Sequence, residues 1–271
     1  MGKHIRCFIA LAVACTSAAP LAAEPKPRSP VKPWNVEFDE RHCLASREFG
    51  PAEKPVKLAF KPSPVGGIMQ VLVAWKDKGG GVVDIPVSIT IDGGAALEAR
   101  LLGFTSPSLG IRTARINMPL EAFAPMRRAT RVTLVAKDEV NDTFALSNMT
   151  ALMTEVDRCL ADLQKYYNIG EGIGPPLQSR AKGNVAKLFS DSDYPEIALG
   201  KDASGAVRLV MLVDETGRVA DCTVTETSGV PVLDAQSCAV VTARAKFSPA
   251  IGADGKPTRD SVVTRISWKI G

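Results

Sequence analysis

The chain has 271 residues, of which 45% are hydrophobic and 6% aromatic, which suffices for the cores of two ordinary soluble domains. Its net charge of +4 comes from lysines and arginines interleaved with acidic residues. Because no basic block stands out, we expect no nucleic-acid partner.

The N-terminus has the pattern of a secretory signal. A short cationic segment, "MGKHIR", precedes an apolar run rich in small residues, and we predict a signal peptide at residues 1–23, cleaved after Ala23. A retained membrane anchor is the alternative, but Thr16, Ser17 and Pro20 interrupt the run, which is shorter than the roughly 20 residues of a spanning helix. We therefore expect export to the periplasm.

A lipoprotein signal is a second alternative at the N-terminus. "LAVAC" places Cys15 behind small residues, as in a lipobox, although Ala12 stands where leucine is usual. A lipid on this cysteine would hold the protein at a membrane.

Four cysteines remain after removal of residues 1–23, namely Cys43, Cys159, Cys222 and Cys238. In an exported chain four cysteines indicate two disulfides, with three possible pairings. We predict Cys43–Cys159 and Cys222–Cys238, because each of these bridges stays within one predicted domain. The second bridge would join a helix to a strand.

The first predicted domain follows a Pro-rich, basic tether at residues 24–33. Residues 34–166 read as a mainly β domain, since strand-length segments alternate with Gly, Pro and Asp. These segments are "WNVEF", "VKLAF", "MQVLVAW", "VVDIPVSITIDG", "LEARLLGF", "IRTARINM" and "RVTLVAKDE". An amphipathic helix with Ser147 as its N-cap closes the domain.

Residues 167–189 are predicted to form a linker, because glycines and a Pro pair dominate until "NVAKLF". "GEGIG" resembles part of a dinucleotide-binding fingerprint, but no strand leads into it and two prolines follow it. We therefore expect no nucleotide site here.

Residues 190–271 predict the order helix, strand, strand, helix, strand. "YPEIALGK" forms the first helix, and "AVRLVMLVD" and "RVADCTVTE" form a hairpin around Gly217. "LDAQSCAVVTARAKF" then forms a helix capped by Asp234, and "RDSVVTRISWKI" alternates as a half-buried strand. The overall fold class is α+β with an antiparallel sheet in this second domain.

These residues carry a family resemblance. "YPEIAL", "GAVRLVMLVDETGRV", "TSGVPVLD" and "KFSPAIGADGKP" resemble the C-terminal domain of the TonB family, in the right order and spacing. The residues that carry the motif are Tyr194, Pro195, Gly205, Gly217, Asp234, Phe247 and Pro249. The resemblance implies a small α/β domain that adds a strand of its sheet to a peptide of a TonB-dependent outer-membrane receptor. Other domains of similar fold bind peptidoglycan.

The terminal strand is the candidate partner-binding element. At a sheet edge its backbone would be free to pair with an extended peptide. The residues concerned are Val262, Val263, Thr264, Arg265, Ile266, Ser267 and Trp268. Alternation predicts Val262, Thr264, Ile266 and Trp268 on one face, and Ser261, Val263, Arg265 and Ser267 on the other. The alternative is an ordinary edge strand that Arg265 and Lys269 protect against wrong pairing.

The chain departs from an energy-transducing member of that family. Such a member keeps an uncleaved membrane helix and a long spacer, whereas this chain has a cleavable-looking signal and a short tether. Direct energy transduction is therefore not expected. The opening "WNVEFDERHCLASREFG" and the late "VDRCLADL" resemble N-terminal domains attached to such modules in alphaproteobacteria, with no established chemistry.

Catalytic, metal and cofactor sites are not expected. Outside the predicted signal peptide the chain contains one histidine, His42, beside the disulfide-forming Cys43. No Cys or His spacing fits zinc, and the acidic group "DEVND" at residues 138–142 reads as a polar turn. The first hypothesis is a nonenzymatic periplasmic adaptor that binds a receptor peptide or envelope protein. The second is a ligand-binding or structural protein whose C-terminal module attaches to peptidoglycan or a partner, and a hydrolase is the remaining rival.

Overall fold

The computed structural model describes residues 26–39, 42–65, 67–77, 79–106, 108–169 and 174–270. The predicted signal peptide and Cys15 lie outside the described residues. The fold is mixed α+β, with a half-barrel and helix in the N-terminal domain and a small helix and strand domain after it. No helix in these described ranges is long and apolar enough to cross a membrane.

The N-terminal domain contains nine strands and two helices. In chain order they are β1 Asn35–Phe38, β2 Cys43–Phe49, β3 Val56–Pro62, β4 Ile68–Lys76, β5 Val83–Ile91, β6 Leu97–Ser106, β7 Ile111–Pro119, α1 Leu120–Phe123, β8 Arg131–Ala136, β9 Val140–Ala145 and α2 Met149–Tyr166. The strands form one antiparallel sheet in the order β1-β2-β3-β4-β7-β6-β5-β8-β9. Alternate residues of the strands fill its interior, as the period of two requires.

Two of these strands were absent from the sequence prediction. Strand β2 carries Arg47 and Glu48 among its apolar residues, so its buried face was less evident. The segment predicted as a polar turn at residues 138–142 contains both the turn and the start of β9. Asp142 belongs to the strand, where its carboxylate accepts a hydrogen bond from Arg28 Nε at 2.6 Å. The acidic Asp142 that made this segment look like a turn therefore forms an ion pair at the edge of the sheet.

Part of the segment expected as a tether is bound to the half-barrel. The backbone N–H of Arg28 donates to Thr143 in β9, and that of Val31 donates to Glu48 in β2. Residues 28–31 thus connect the β9 edge of the sheet to the end of β2. Proline suits such an edge position, where few backbone donors are needed.

Helix α2 packs its apolar face onto the half-barrel. Met149, Leu152, Met153 and Val156 join the core, as their spacing predicted, while Leu160 is half-buried. The predicted N-cap was one residue early: Asn148 holds this position at φ 58°. The Ser147 hydroxyl instead accepts a hydrogen bond from Arg47.

The C-terminal domain has the predicted order of elements, with three short strands in addition. The elements are β10 Leu177–Ser179, α3 Glu196–Leu199, β11 Gly205–Val213, β12 Val219–Glu226, α4 Pro231–Arg244, β13 Ala250–Gly252, β14 Pro257–Thr258 and β15 Asp260–Trp268. They form two three-stranded sheets, β10-β13-β14 and β12-β11-β15. Helix α4 covers one face of the second sheet and completes the core.

The described part of the expected linker, residues 167–189, is largely packed. The Tyr167 side chain is fully buried, β10 pairs with β13, and Val185 lies in the core of the C-terminal domain. The Gly and Pro content predicted a linker, but the apolar side chains of Tyr167 and Val185 are buried in hydrophobic cores.

Candidate partner-binding edge

Strand β15 lies at one edge of the sheet β12-β11-β15. It pairs with β11 along its whole length, from Asp260 opposite Val213 to Trp268 opposite Gly205. Within the described part of the chain, no strand pairs with its other side. Its outward backbone groups are therefore placed to pair with another extended chain.

The two faces of β15 are as different as the alternation predicted. Ile266 and Trp268 are buried beneath the helix-covered face, and Val262 packs at the margin of the same core. On the opposite face Val263 is 57% exposed, and Arg265 and Ser267 are exposed. The exposed valine gives this edge an apolar side chain that a partner could cover.

Both ends of β15 are anchored by specific contacts. At its C-terminal end, Trp268 Nε1 donates a hydrogen bond to the buried Ser237 hydroxyl at 2.9 Å, and the rings of Phe189 and Tyr194 pack edge-on against the indole. At its N-terminal end, the fully buried Asp260 carboxylate pairs with Arg180 at 2.8 Å. The strand between these anchors is held in place without being covered.

The opposite edge, β12, faces the N-terminal domain. Lys61 Nζ of β3 lies 2.8 Å from Asp221 Oδ1 of β12, and both side chains are largely buried. Leu102 of β6 belongs to the same hydrophobic cluster as α4. The rear of the sheet is also covered, since Leu212 of β11 packs with Cys43 and with residues of α2.

The disulfides join the predicted pairs. Cys43 is bonded to Cys159, and Cys222 to Cys238. The second bridge ties β12 to α4, as expected. A β-bulge at Ala220 breaks the alternation of β12, so Ala220 packs with the Leu212 cluster while Cys222 lies against α4.

The motif residues of the C-terminal domain build its scaffold. The Tyr194 hydroxyl donates to the Ala203 carbonyl at 2.7 Å, and Pro195 is the N-cap of α3. Gly205 lies so close to Ser228 that a Cβ would meet its carbonyl oxygen at 2.7 Å. Two residues of this motif set contact the candidate strand at Trp268: Tyr194 packs on its ring, and Gly205 lies opposite it in the ladder.

Gly217 lies very close to the backbone of Phe247. It adopts φ +80°, and a Cβ built on it would lie 2.0 Å from the Phe247 carbonyl oxygen. The Phe247 N–H in turn donates to the Gly217 carbonyl at 2.8 Å. Phe247 is buried and Pro249 half-buried just before β13, so this contact fixes the hairpin against the chain that follows α4.

Asp234 does not cap α4, which corrects the sequence prediction. The helix begins at Pro231, with Val230 as its N-cap, and Asp234 lies in its first turn. Its buried carboxylate accepts hydrogen bonds from the Thr227 hydroxyl and from the N–H and hydroxyl of Ser228. It therefore fixes the loop between β12 and α4.

An ion pair between the exposed Arg244 and the buried Asp193 connects α4 to the segment before α3. Arg244 donates two hydrogen bonds to Asp193, each at 2.7 Å, and these bonds lower the pKa of the Asp193 carboxyl. Ser190 adds a backbone hydrogen bond to the same carboxylate. The pair orders the chain that leads to Tyr194 and hence to Trp268.

The residues weighed for catalysis have structural contacts. His42 Nδ1 lies 3.2 Å from Asp39, and Cys43 is in its disulfide. Glu139 accepts a hydrogen bond from Arg112 Nε at 3.0 Å inside the half-barrel. In the ranges that the structure describes, no group of three His, Cys, Asp or Glu side chains is placed to hold a metal ion.

The contacts between the domains could not be predicted from the sequence. Lys61 and Asp221 are single charged residues in strands, a pattern that also fits a solvent-exposed sheet face. A partly buried arginine on β7, Arg115, was missed for the same reason. Only the packing of the two domains shows that these side chains share a surface.

Residues 190–270 match the family model described as Gram-negative bacterial TonB protein C-terminal. The match covers the domain that carries β15, and it does not extend to the N-terminal domain. A search of curated proteins found none that matches the chain.

Proposed function

We propose that this chain, which carries a TonB C-terminal domain at residues 190–270, is a periplasmic adaptor that binds an extended peptide along the open edge of β15. The observation that carries the proposal is that, among the strands the structure describes, β15 has a neighbour on one side only, and that it is anchored at both ends. Main-chain hydrogen bonds would supply affinity, and alternate side chains would supply preference.

The partner class follows from the domain. A TonB C-terminal domain is a non-catalytic module whose partners are proteins such as TonB-dependent outer-membrane receptors. We infer that the peptide is an N-terminal segment of such a receptor and that the chain takes part in TonB-dependent transport. The domain and the two disulfides support a location in the cell envelope. The signal-like residues 1–23 support a periplasmic mature form.

The side-chain arrangement of β15 supports a backbone-directed mode of binding. Buried Ile266 and Trp268 are committed to the core, while Val263 and Arg265 are exposed beside the open edge. A peptide strand paired with β15 would place its own alternate side chains next to these two residues. An apolar or acidic residue at those positions would be favoured.

Proline substitution in β15 tests this mode. In an antiparallel ladder, consecutive residues direct their N–H groups to opposite sides, so one of Val263 and Thr264 directs its donor outward. The variant whose proline replaces the outward N–H leaves the pairing with β11 intact, so it should keep a parent-like circular dichroism spectrum. We expect this variant, whether Val263→Pro or Thr264→Pro, to lose receptor-peptide binding. Thr264→Ala should weaken binding only modestly.

Two further measurements make the test independent of folding. Two receptor peptides, one N-methylated at its odd positions and the other at its even positions, should differ: one should bind and the other should not. On addition of the unmodified peptide, alternate amides of residues 262–266 should gain protection from hydrogen exchange. A folded proline variant that binds as well as the parent, or binding that ignores the methylation register, would show that strand addition at β15 is wrong.

A further inference from the structure

A cleft of about 690 Å³ lies between the two domains, remote from the outer side of β15. One wall is the outer face of β4, β6 and β7, and the other is formed by β12 and the start of α4. Its volume is within the range typical of small-ligand pockets, which often form at domain interfaces.

Five charged side chains line this cleft: Glu98, Arg100, Arg115, Glu226 and Asp234. Three of them already have close partners. Arg100 is bonded to a buried aspartate on β5, Glu226 is paired with an arginine on β11, and Asp234 accepts the hydrogen bonds of the β12–α4 loop. Glu98 and Arg115 remain.

The side chain of Arg115 makes no hydrogen bond or direct ion pair to any residue that the structure describes. Burial lowers the pKa of its guanidinium, and the negative charge of Asp234 opposes this shift. A guanidinium presents five N–H donors in a planar fork that fits a carboxylate. The Arg115 side chain is partly buried and lines the cleft, so these donors are available to a ligand there.

Glu98 is exposed where it lines the cleft, and its side chain likewise makes no hydrogen bond or ion pair to a described residue. It shares an outer face with Arg115, because Leu102 of β6 is paired with Arg115 of β7 and Glu98 stands four residues before Leu102. At a rise of about 3.4 Å per residue, the backbone positions of Glu98 and Leu102 are roughly 14 Å apart.

We propose that the cleft binds a short free peptide, with its terminal carboxylate on Arg115 and its terminal ammonium near Glu98. An extended chain spans at most about 3.3–3.6 Å per residue, so three or four residues cover the separation once the two side chains reach inward. The unpaired edge of β12 at Val224 to Glu226 borders the same cleft, and its backbone offers partners for the peptide's own amides.

The test is calorimetric titration of the full mature chain with trialanine and tetra-alanine. We expect one of them to bind, and C-terminal amidation or N-terminal acetylation to weaken its binding at least tenfold each. Binding that tolerates acetylation would indicate the C-terminus of a longer protein and would overturn the assignment of a free peptide. Absence of binding by both unmodified peptides would overturn the site.

Variants assign the two ends. Arg115→Gln should bind the peptide weakly and lose its sensitivity to amidation, and Glu98→Gln should lose its sensitivity to acetylation. Arg128→Gln, which removes an exposed arginine that does not line the cleft, is the matched control and should bind as the parent does. If Arg115→Gln is folded and still distinguishes carboxylate from amide, the assignment of Arg115 is wrong.

The site does not rest on the proposed role of β15. A folded proline variant of β15 should bind tetra-alanine or trialanine normally while losing the receptor peptide. Arg115→Gln should show the reverse, and loss of both activities in either folded variant would contradict the separation of the two sites.

Discussion

Truncation of Leu212 tests the packing of the two domains. Leu212 is 2% exposed and lies in a cluster with Cys43, Cys159, Leu163 and Tyr167, so its neighbours there come from β2, from α2 and from the residue that follows α2. Leu212→Ala removes buried methyl groups and leaves a cavity. Buried Leu→Ala changes typically cost 2–5 kcal/mol, and since two domains can partly close the gap we expect about 2–3 kcal/mol.

Two measurements separate this effect from loss of core packing in general. Urea unfolding gives the free-energy change, and the rate of reduction of Cys43–Cys159 by dithiothreitol reports the cover that Leu212 provides. Leu209→Ala is the matched control, because Leu209 is fully buried on the helix-covered face of the same strand. Both variants should lose stability, but only Leu212→Ala should accelerate reduction of this disulfide in the native state.

A small effect of Leu212→Ala would refute the packing of the two domains. If Leu212→Ala changes the unfolding free energy by less than about 0.5 kcal/mol, as a surface substitution does, and leaves the reduction rate unchanged, the sheet does not pack on the N-terminal domain in solution. The cleft between the domains would then have no basis.

Two further predictions concern acid stability and processing. Hydrogen bonds from Arg244 lower the pKa of Asp193 in the folded state. The stabilisation that ionised Asp193 contributes is therefore fully present above the unfolded pKa, about 3.9, and is lost as pH falls toward the folded value. The difference in unfolding free energy between the parent and Asp193→Asn should narrow from pH 5 to pH 3, and a constant difference would contradict this linkage. Mass spectrometry of the purified protein should find a mature N-terminus at Glu24, whereas intact residues 1–23 or a lipid on Cys15 would contradict cleavage after Ala23.

The architecture of the C-terminal domain could be predicted because its signals are local. Hairpin chemistry at Gly217 and strict alternation in β15 each specify an element within a few residues. The alternation also gave the correct faces of β15. Cysteine pairing was predictable once the domain boundaries were known, since each bridge joins residues of one domain.

Other features depend on contacts that are distant in sequence. The bulge at Ala220 changes which side a residue faces, and nothing in "RVADCTVTE" distinguishes a bulged strand from a regular one. Aspartate is a common N-cap residue, so Asp234 was predicted to cap the helix. The helix begins about one turn earlier, at Pro231, and the Asp234 carboxylate instead accepts hydrogen bonds from the loop before it. Residues 28–31 joined the half-barrel because β9 and the end of β2 have backbone partners for them.

The position of the N-terminal domain decides which edge of the small sheet can receive a partner. A three-stranded sheet has two edges, and either can in principle pair with an added strand. Here β12 faces β4, β6 and β7 across a cleft of limited volume and is tied to β3 through Lys61 and Asp221. A long peptide strand therefore has access to β15, whereas a ligand beside β12 must fit between the two domains. The two proposed sites thus differ because the same docking contact leaves one edge open and places the N-terminal domain beside the other.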